Sequence, residues 1–178
     1  DRCLSRGLGD VYKRQYRNVM PNKVHHFLSN KRLITQNVDG LDCKAGKKDY
    51  IPIHGRLDKA LIYDEMDNLL ELTDAPWDEI DELTDGENND IKIKLLDAFK
   101  ISKETKKPEL GKSLRPFILL FDEYYTDQYR MSEAESWMRN ADHYIFMGTS
   151  FSVNITNIAL RYAICLLYTS DAADDWSS

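Results

Sequence analysis

The chain reads as an α/β protein, an open parallel sheet with crossover helices broken by a smaller acidic insert, and three observations predict this. Residues 117–121 and 144–147 are short, continuous apolar runs bounded by polar residues, the pattern of strands buried on both faces. A helical stretch, residues 132–140, lies between them, so helix alternates with strand instead of strand with hairpin turn. The second run passes straight into Gly148-Thr149-Ser150, and in such sheets ligands bind beyond the carboxyl ends of the strands.

Taken in order, Pro21 opens a helix in which Val24, Phe27 and Leu28 share one face, and Asn30 with Lys31-Arg32 suits its C-terminal end. Residues 33–36 form a short strand-like run that ends in the loop Gln36-Asn37-Val38-Asp39-Gly40. Residues 41–45 make one helical turn stopped by Gly46. Residues 51–54 are too few to assign alone.

From Asp58 to about Gly111 the chain turns acidic, with a block from Asp74 to Asp90. The expected content is a surface helix over residues 76–83, a turn at Asp85-Gly86, and a helix or strand over residues 91–101. The acid run reads as a solvated face. Order returns at Arg115-Pro116 with the first apolar run. Ser132 then suits an N-cap, with Glu135 completing a capping box.

The two ends read differently. Asp10-Val11-Tyr12-Lys13-Arg14-Gln15 can be encoded by GAT-GTG-TAT-AAG-AGA-CAG, and Cys165-Leu166-Leu167-Tyr168-Thr169-Ser170 by TGT-CTC-TTA-TAC-ACA-TCT, nearly its reverse complement. Both resemble a transposon adapter used in preparing sequencing libraries, translated in opposite senses, and Asp171-Ala172-Ala173-Asp174-Asp175 would continue it. Residues 1–15 and 165–178 are therefore expected to be adapter-derived. The native part is then an internal gene fragment, divided as 16–57, the insert 58–113, and 114–164.

Composition narrows the function classes. The net charge of −6 leaves no basic footprint for nucleic acid. No apolar run reaches the roughly 18–20 residues of a membrane span. Cys3 and Cys165 fall in the suspect ends, and Cys43 alone makes neither an internal disulfide nor a four-cysteine zinc site. The expected setting is cytoplasmic, with neither a nucleic-acid nor a membrane partner.

Four constellations carry possible chemistry. Gln36, Asn37 and Asp39 have the donors and acceptors to hold a sugar-like ligand, although Asn and Asp also stabilise turns through their own backbone. His54, alone among the four histidines, sits in a loop-like glycine context and suits a general base. Phe121-Asp122-Glu123, followed by Tyr124-Tyr125, either lines a cleft or caps a strand. Gly148, Thr149 and Ser150 offer free backbone N–H groups and two hydroxyls to a phosphate or ribose.

The order of these pieces resembles that of the sirtuins, the NAD-dependent protein deacylases. Thr35-Gln36-Asn37-Val38-Asp39-Gly40-Leu41 is similar to the family's TQN-[IV]-DGLH box, and Ile53-His54-Gly55 to the [LV]-HG that carries its base. Leu114-Arg115-Pro116 through Phe121-Asp122-Glu123 resembles LRP-x-[IV]-V-x-FGE. Ala141-Asp142 through Val153 resembles the box around GTS. The resemblance implies a Rossmann-like parallel sheet with NAD as co-substrate across its strand ends, an acylated protein lysine as substrate, and nicotinamide and O-acyl-ADP-ribose as products. It implies that His54 and Asn37 are catalytic, with His54 deprotonating the ribose hydroxyls. Gln36 would hold the ribose, Asn37 and Asp39 would shape the nicotinamide pocket, and Gly148, Thr149 and Ser150 would meet the phosphates and the adenine-side ribose. Phe121, Asp122 and Glu123 would border the substrate peptide.

Four departures qualify it. The family's Gly-rich opening box is absent, so the fragment itself is expected to be inactive. Lys107 and Leu110 stand where one pair of zinc cysteines falls, and no pair follows Gly55, so the insert is expected to be zinc-free and to rely on its own packing. Asp122 replaces the Gly of FGE, and Asp42 stands where the first box has His. An NAD glycohydrolase of the same fold, or a non-catalytic NAD or ADP-ribose binding module, remain competing readings.

Overall fold

Asn22 sets the first helix, α1 (Lys23–Leu28): its Oδ1 accepts from the backbone N–H of Val24 at 2.9 Å and of His25 at 3.2 Å, while His25 Nδ1 accepts from Asn22 N–H at 3.2 Å. This reciprocal cap satisfies N–H groups that the first turn otherwise leaves unpaired. The computed structural model describes residues 18–64, 69–80, 88–120 and 123–174. The chain divides into two compact units, Asp1–Tyr129 and Arg130–Ser178. The apolar stripe expected on α1 faces outward, with Val24 52% and Phe27 72% exposed. Lys47 holds the helix end through the backbone instead: its Nζ, on a buried side chain, donates to Leu28 O at 2.6 Å and to Lys31 O.

Next comes a compact parallel unit. Strand β1 (Ile34–Thr35), helix α2 (Leu41–Lys44) and strand β2 (Ile51–Pro52) follow in order, and β1 pairs in parallel with β2, Ile34 opposite Ile51 and Thr35 opposite Pro52. Ile51 and Ile53 are fully buried beneath it. Gly46, at φ 88°, ends the helical turn as its sequence suggests. Because the two strands run the same way, the loops after Thr35 and after Pro52 leave from one edge.

Strand β3 (Gly55–Ile62) then pairs antiparallel with β4 (Thr73–Asp74) on one side and β5 (Leu114–Ile118) on the other. The apolar run near residue 117 therefore enters an antiparallel sheet, and its strand spans Leu114–Ile118 instead of 117–121. Burial on both faces misled the parallel assignment: Ile118 packs into one cluster with Leu57, Trp77 and Phe99, and Phe117 into another with Leu61 and Tyr129. Pro116 sits inside the strand because a bulge between Arg56 and Ala60 interrupts the ladder there, where its missing N–H leaves no donor unpaired.

In the insert, helix α3 (Asn88–Ala98) occupies the segment expected to be helix or strand. The expected surface helix is a 3-10 turn, Asp78–Ile80, and Trp77 before it is buried: its indole N–H donates to Leu57 O at 2.6 Å and its ring meets Phe99 at 5.2 Å. Asp85-Gly86 lies outside the described residues.

In the second unit, α4 (Met131–Arg139) starts one residue before the expected cap. Arg130 is the N-cap, at φ 59° with no side-chain cap bond, and its guanidinium grips Glu133 through Nε and Nη2, each at 2.7 Å. The expected Ser132–Glu135 box is thereby displaced into the helix. Residues 144–147 form no strand; Ile145 is 84% and Met147 54% exposed, which corrects the second buried-strand expectation. Tyr144 and Phe146 stack at 6.1 Å, and Phe146 meets Phe151 at 5.1 Å. Helix α5 (Asn154–Asp174) follows and continues through residues 165–174. No helix among the described residues is long and apolar enough to cross a membrane.

Candidate active site

The edge where β1 and β2 end gathers the first two constellations. Ile53 N–H donates to Thr35 O at 3.0 Å, so the Gln36-Asn37 loop and His54 leave the sheet side by side. Thr35, 8% exposed, uses Oγ1 to accept from Asn37 N–H at 3.1 Å, which fixes the turn. Val38 O accepts from Leu57 N–H at 2.8 Å and ties the loop to β3. Gln36 is half-buried and Asn37 exposed. Asp39 acts locally, its Oδ1 accepting from Leu41 N–H at 2.9 Å at the start of α2, while Gly40 makes the turn at φ 73°.

His54 is the centre of this edge. Its Nε2 lies 2.9 Å from Tyr125 Oη, and the two rings stack with centroids 5.8 Å apart and planes 22° apart. Burial pushes the imidazole below its usual pKa, and a backbone hydrogen bond with Gln36 opposes this in part. The ring is thus biased toward the neutral form that can accept a proton. Gly55 makes the seat possible. It has φ 86°, and a Cβ there would stand 2.0 Å from Phe117 O. No other residue type tolerates both conditions.

Glu123 is held by the motif before it. Arg115 Nη2 donates to Glu123 Oε2 at 2.9 Å and to Ile118 O at 3.2 Å, and Leu120 N–H donates to the same Glu123 oxygen at 3.0 Å. Phe121 and Asp122 lie outside the described residues. The Gly148-Thr149-Ser150 turn belongs to the second unit. There Gly148 has φ 63°, Thr149 Oγ1 accepts from Phe151 N–H at 3.2 Å, and the Ser150 and Ser152 hydroxyls lie 2.7 Å apart.

Sequence reading placed Tyr125 only in a run that lines a cleft or caps a strand, without pairing it with His54, and missed the Arg115–Glu123 clamp. Tyr125 stands 71 residues from His54 and carries no local signal. The clamp joins the ends of one recognised motif, and the opposite charges eight residues apart were its only trace.

Half-buried amide and imidazole groups on one strand edge suit a polar ligand with hydroxyls to be deprotonated. Among the described residues no three His, Cys, Asp or Glu side chains gather as a metal set.

Comparison with known proteins agrees in direction. The Sir2 family model matches residues 8–155. The chain is 33% identical over 170 residues to NAD-dependent deacetylase sir2E of Dictyostelium discoideum, covering 85% of this chain and 46% of that one. It is 28% identical to an NAD-dependent protein deacetylase of Sulfurisphaera tokodaii, covering 86% of this chain and 56% of that one. The chain thus spans about half the length of these relatives. Among solved structures, a Sir2 homologue mutant in complex with ADP-ribose superposes with a TM-score of 0.60 at 21% identity, over 93% of this chain and 62% of the other. A second sirtuin structure gives 0.58 at 19% identity, over 90% and 67%. At these identities the structures show the fold alone. With the family model covering most of its length, the chain belongs to the Sir2 family.

Proposed function

We propose that these residues serve an NAD-dependent protein-lysine deacylase that releases nicotinamide and O-acyl-ADP-ribose. The observation that carries this reading is the parallel pairing of β1 with β2, with Ile53 N–H donating to Thr35 O, which brings the base and the polar loop to one edge of the Rossmann-like part. Two relatives are named NAD-dependent deacetylases, and one similar solved structure is a Sir2 protein bound to a propionylated peptide.

NAD fits the donors present: an exposed Asn37 amide, a half-buried Gln36 amide, and a neutral imidazole beside them. When bound, NAD supplies a ribose carbon activated by its cationic nicotinamide. Gln36 holds the ribose and Asn37 the nicotinamide side. Asp39 acts through the shape of the loop, since one of its oxygens is engaged at α2. His54 takes a proton from a ribose hydroxyl, freeing that oxygen to receive the acyl group. Gly148, Thr149 and Ser150 are assigned to phosphate and adenine-side ribose, and Phe121, Asp122 and Glu123 to the peptide side. The acylated lysine of a protein is the partner, and the proposed setting is cytoplasmic. The insert is proposed to be zinc-free on the identity of Lys107 and Leu110, with the packing around Trp77 and Phe99 bracing it instead.

The test uses this chain and a longer protein made by placing the Gly-rich opening box of a Sir2 relative ahead of residue 16, each with NAD and an acetyl-lysine peptide, read by mass spectrometry. The 178-residue chain is expected to yield no O-acyl-ADP-ribose, and the longer protein to yield it until His54→Gln is introduced. Nicotinamide release by the longer protein without peptide would replace deacylation with the glycohydrolase reading. NAD binding with no release would replace it with a binding module.

A further inference from the structure

We propose that Tyr125 is a positioning residue for His54: its phenol, stacked beside the imidazole and hydrogen-bonded at Nε2, fixes the ring's tautomer and direction so that Nε2 carries the lone pair.

The geometry leaves little freedom to the ring. Tyr125 Oη lies 2.9 Å from Nε2, and the near-parallel planes, 22° apart, resist rotation about the Cβ–Cγ bond. A phenol can donate or accept, so the direction of this bond has to come from the other side of the ring. The Gln36 backbone bond favours the charged imidazole, as an accepting carbonyl does and a donating N–H does not. An accepting carbonyl needs a ring N–H, and a neutral imidazole has only one. With Nε2 turned to the phenol, that proton belongs on Nδ1, and Tyr125 O–H is the donor. Such a bond exists only while Nε2 is unprotonated; in the imidazolium the same phenol can turn and accept from Nε2–H.

Among the described residues, the charged side chains of Arg56, Asp58, Arg115 and Glu123 on the segments packed against His54 are paired with one another. Arg56 binds Asp58 through Nε at 2.8 Å, and Arg115 binds Glu123 at 2.8 Å. The phenol at Nε2 and the Gln36 backbone are therefore the partners that orient the ring. A lone pair held at Nε2 is what a base needs before a ligand hydroxyl arrives. The inference rests on the reading above for what the base acts upon, and on the Tyr125 geometry together with the Gln36 backbone bond for how the base is held.

The experiment is a histidine-side-chain nitrogen NMR titration of the 15N-labelled chain, with His54 identified by the signal lost in His54→Gln. The unmodified chain is expected to show His54 as the Nδ1–H tautomer when neutral. Tyr125→Phe keeps the ring and removes the donor. It is expected to give a mixture of the Nδ1–H and Nε2–H tautomers. An Nε2–H tautomer in the unmodified chain would overturn the proposal even if Tyr125→Phe fails to fold. Equal tautomer populations in the two chains would overturn it as well. Neither readout uses NAD, so failure here leaves the deacylase reading standing, and failure to bind NAD leaves this assignment standing.

Discussion

Replacing Gly55 with Ala tests whether the seat of His54 depends on the close approach of β3 to β5. A Cβ at Gly55 would lie 2.0 Å from Phe117 O, 2.8 Å from Phe117 C and 3.1 Å from Ile118 Cα. An ordinary carbon–oxygen contact is about 3.3 Å, so the strands must part by about 1.3 Å at this point. That opening strains the Gly55–Ile118 pairing and the bond from Leu119 N–H to His54 O, which is 3.0 Å long. Two weakened backbone bonds amount to about 2 kcal/mol, and the positive φ adds about 1–2 kcal/mol for an L-residue. The expected destabilisation is about 3–4 kcal/mol, a large share of an ordinary domain's stability. Gly46→Ala is the control: it has a similar φ of 88° with nothing within 4 Å of a Cβ, so only the conformational part remains. Urea unfolding followed by tryptophan fluorescence should place the Gly55→Ala midpoint about 1 M below that of Gly46→Ala, taking a slope of about 2 kcal/mol/M. Equal midpoints would show that the strand approach is not what demands glycine.

Trp77→Phe should cost about 1–2 kcal/mol by leaving Leu57 O without its indole donor, and Trp77→Ala about 3–5 kcal/mol by emptying the cluster around Phe99; denaturant midpoints read both. Asp39→Ala should lower stability by about 1 kcal/mol through the lost bond to Leu41 N–H, and Asp39→Asn should restore most of it, as seen by thermal melting. The pH dependence of stability follows from His54, whose folded pKa lies below the ordinary 6.5. Between those two values the unfolded chain holds the extra proton, so this contribution is present above about pH 6.5 and is lost as pH falls through it. His54→Gln should flatten urea midpoints across that window.

What the sequence made legible was local. The helix after Pro21, the single turn ended by Gly46, and the Gln36–Gly40 loop were readable because each is decided by a few adjacent residues; the Asn22 cap was not read. The convergence of that loop with His54 came only from the family resemblance, because residues 51–54 are too few to read as a strand; the parallel pairing of β1 with β2 is what produces it. Three features were not readable, each for a physical reason. The run near residue 117 is buried on both faces, and burial alone does not distinguish a parallel from an antiparallel neighbour; β3 decides it. Residues 144–147 are apolar yet form no strand, and Ile145 and Met147 stay exposed, so composition overstated them. Trp77 follows a proline in an acidic stretch that reads as surface, and only its indole bond to Leu57, 20 residues away, draws it inward. For the candidate site, glycine and histidine positions were visible, whereas Tyr125 came from a distant segment with no periodicity to announce it.

The central claim is that Gln36, Asn37 and His54 form one side of an NAD site. It is tested most directly by titrating the labelled chain with NAD at millimolar concentration while following the side-chain amides of Gln36 and Asn37 and the His54 ring. The account predicts saturable shifts at all three, abolished by Asn37→Ala while the remainder of the spectrum is retained. Unchanged positions at these residues, or shifts confined to other parts of the chain, would contradict it.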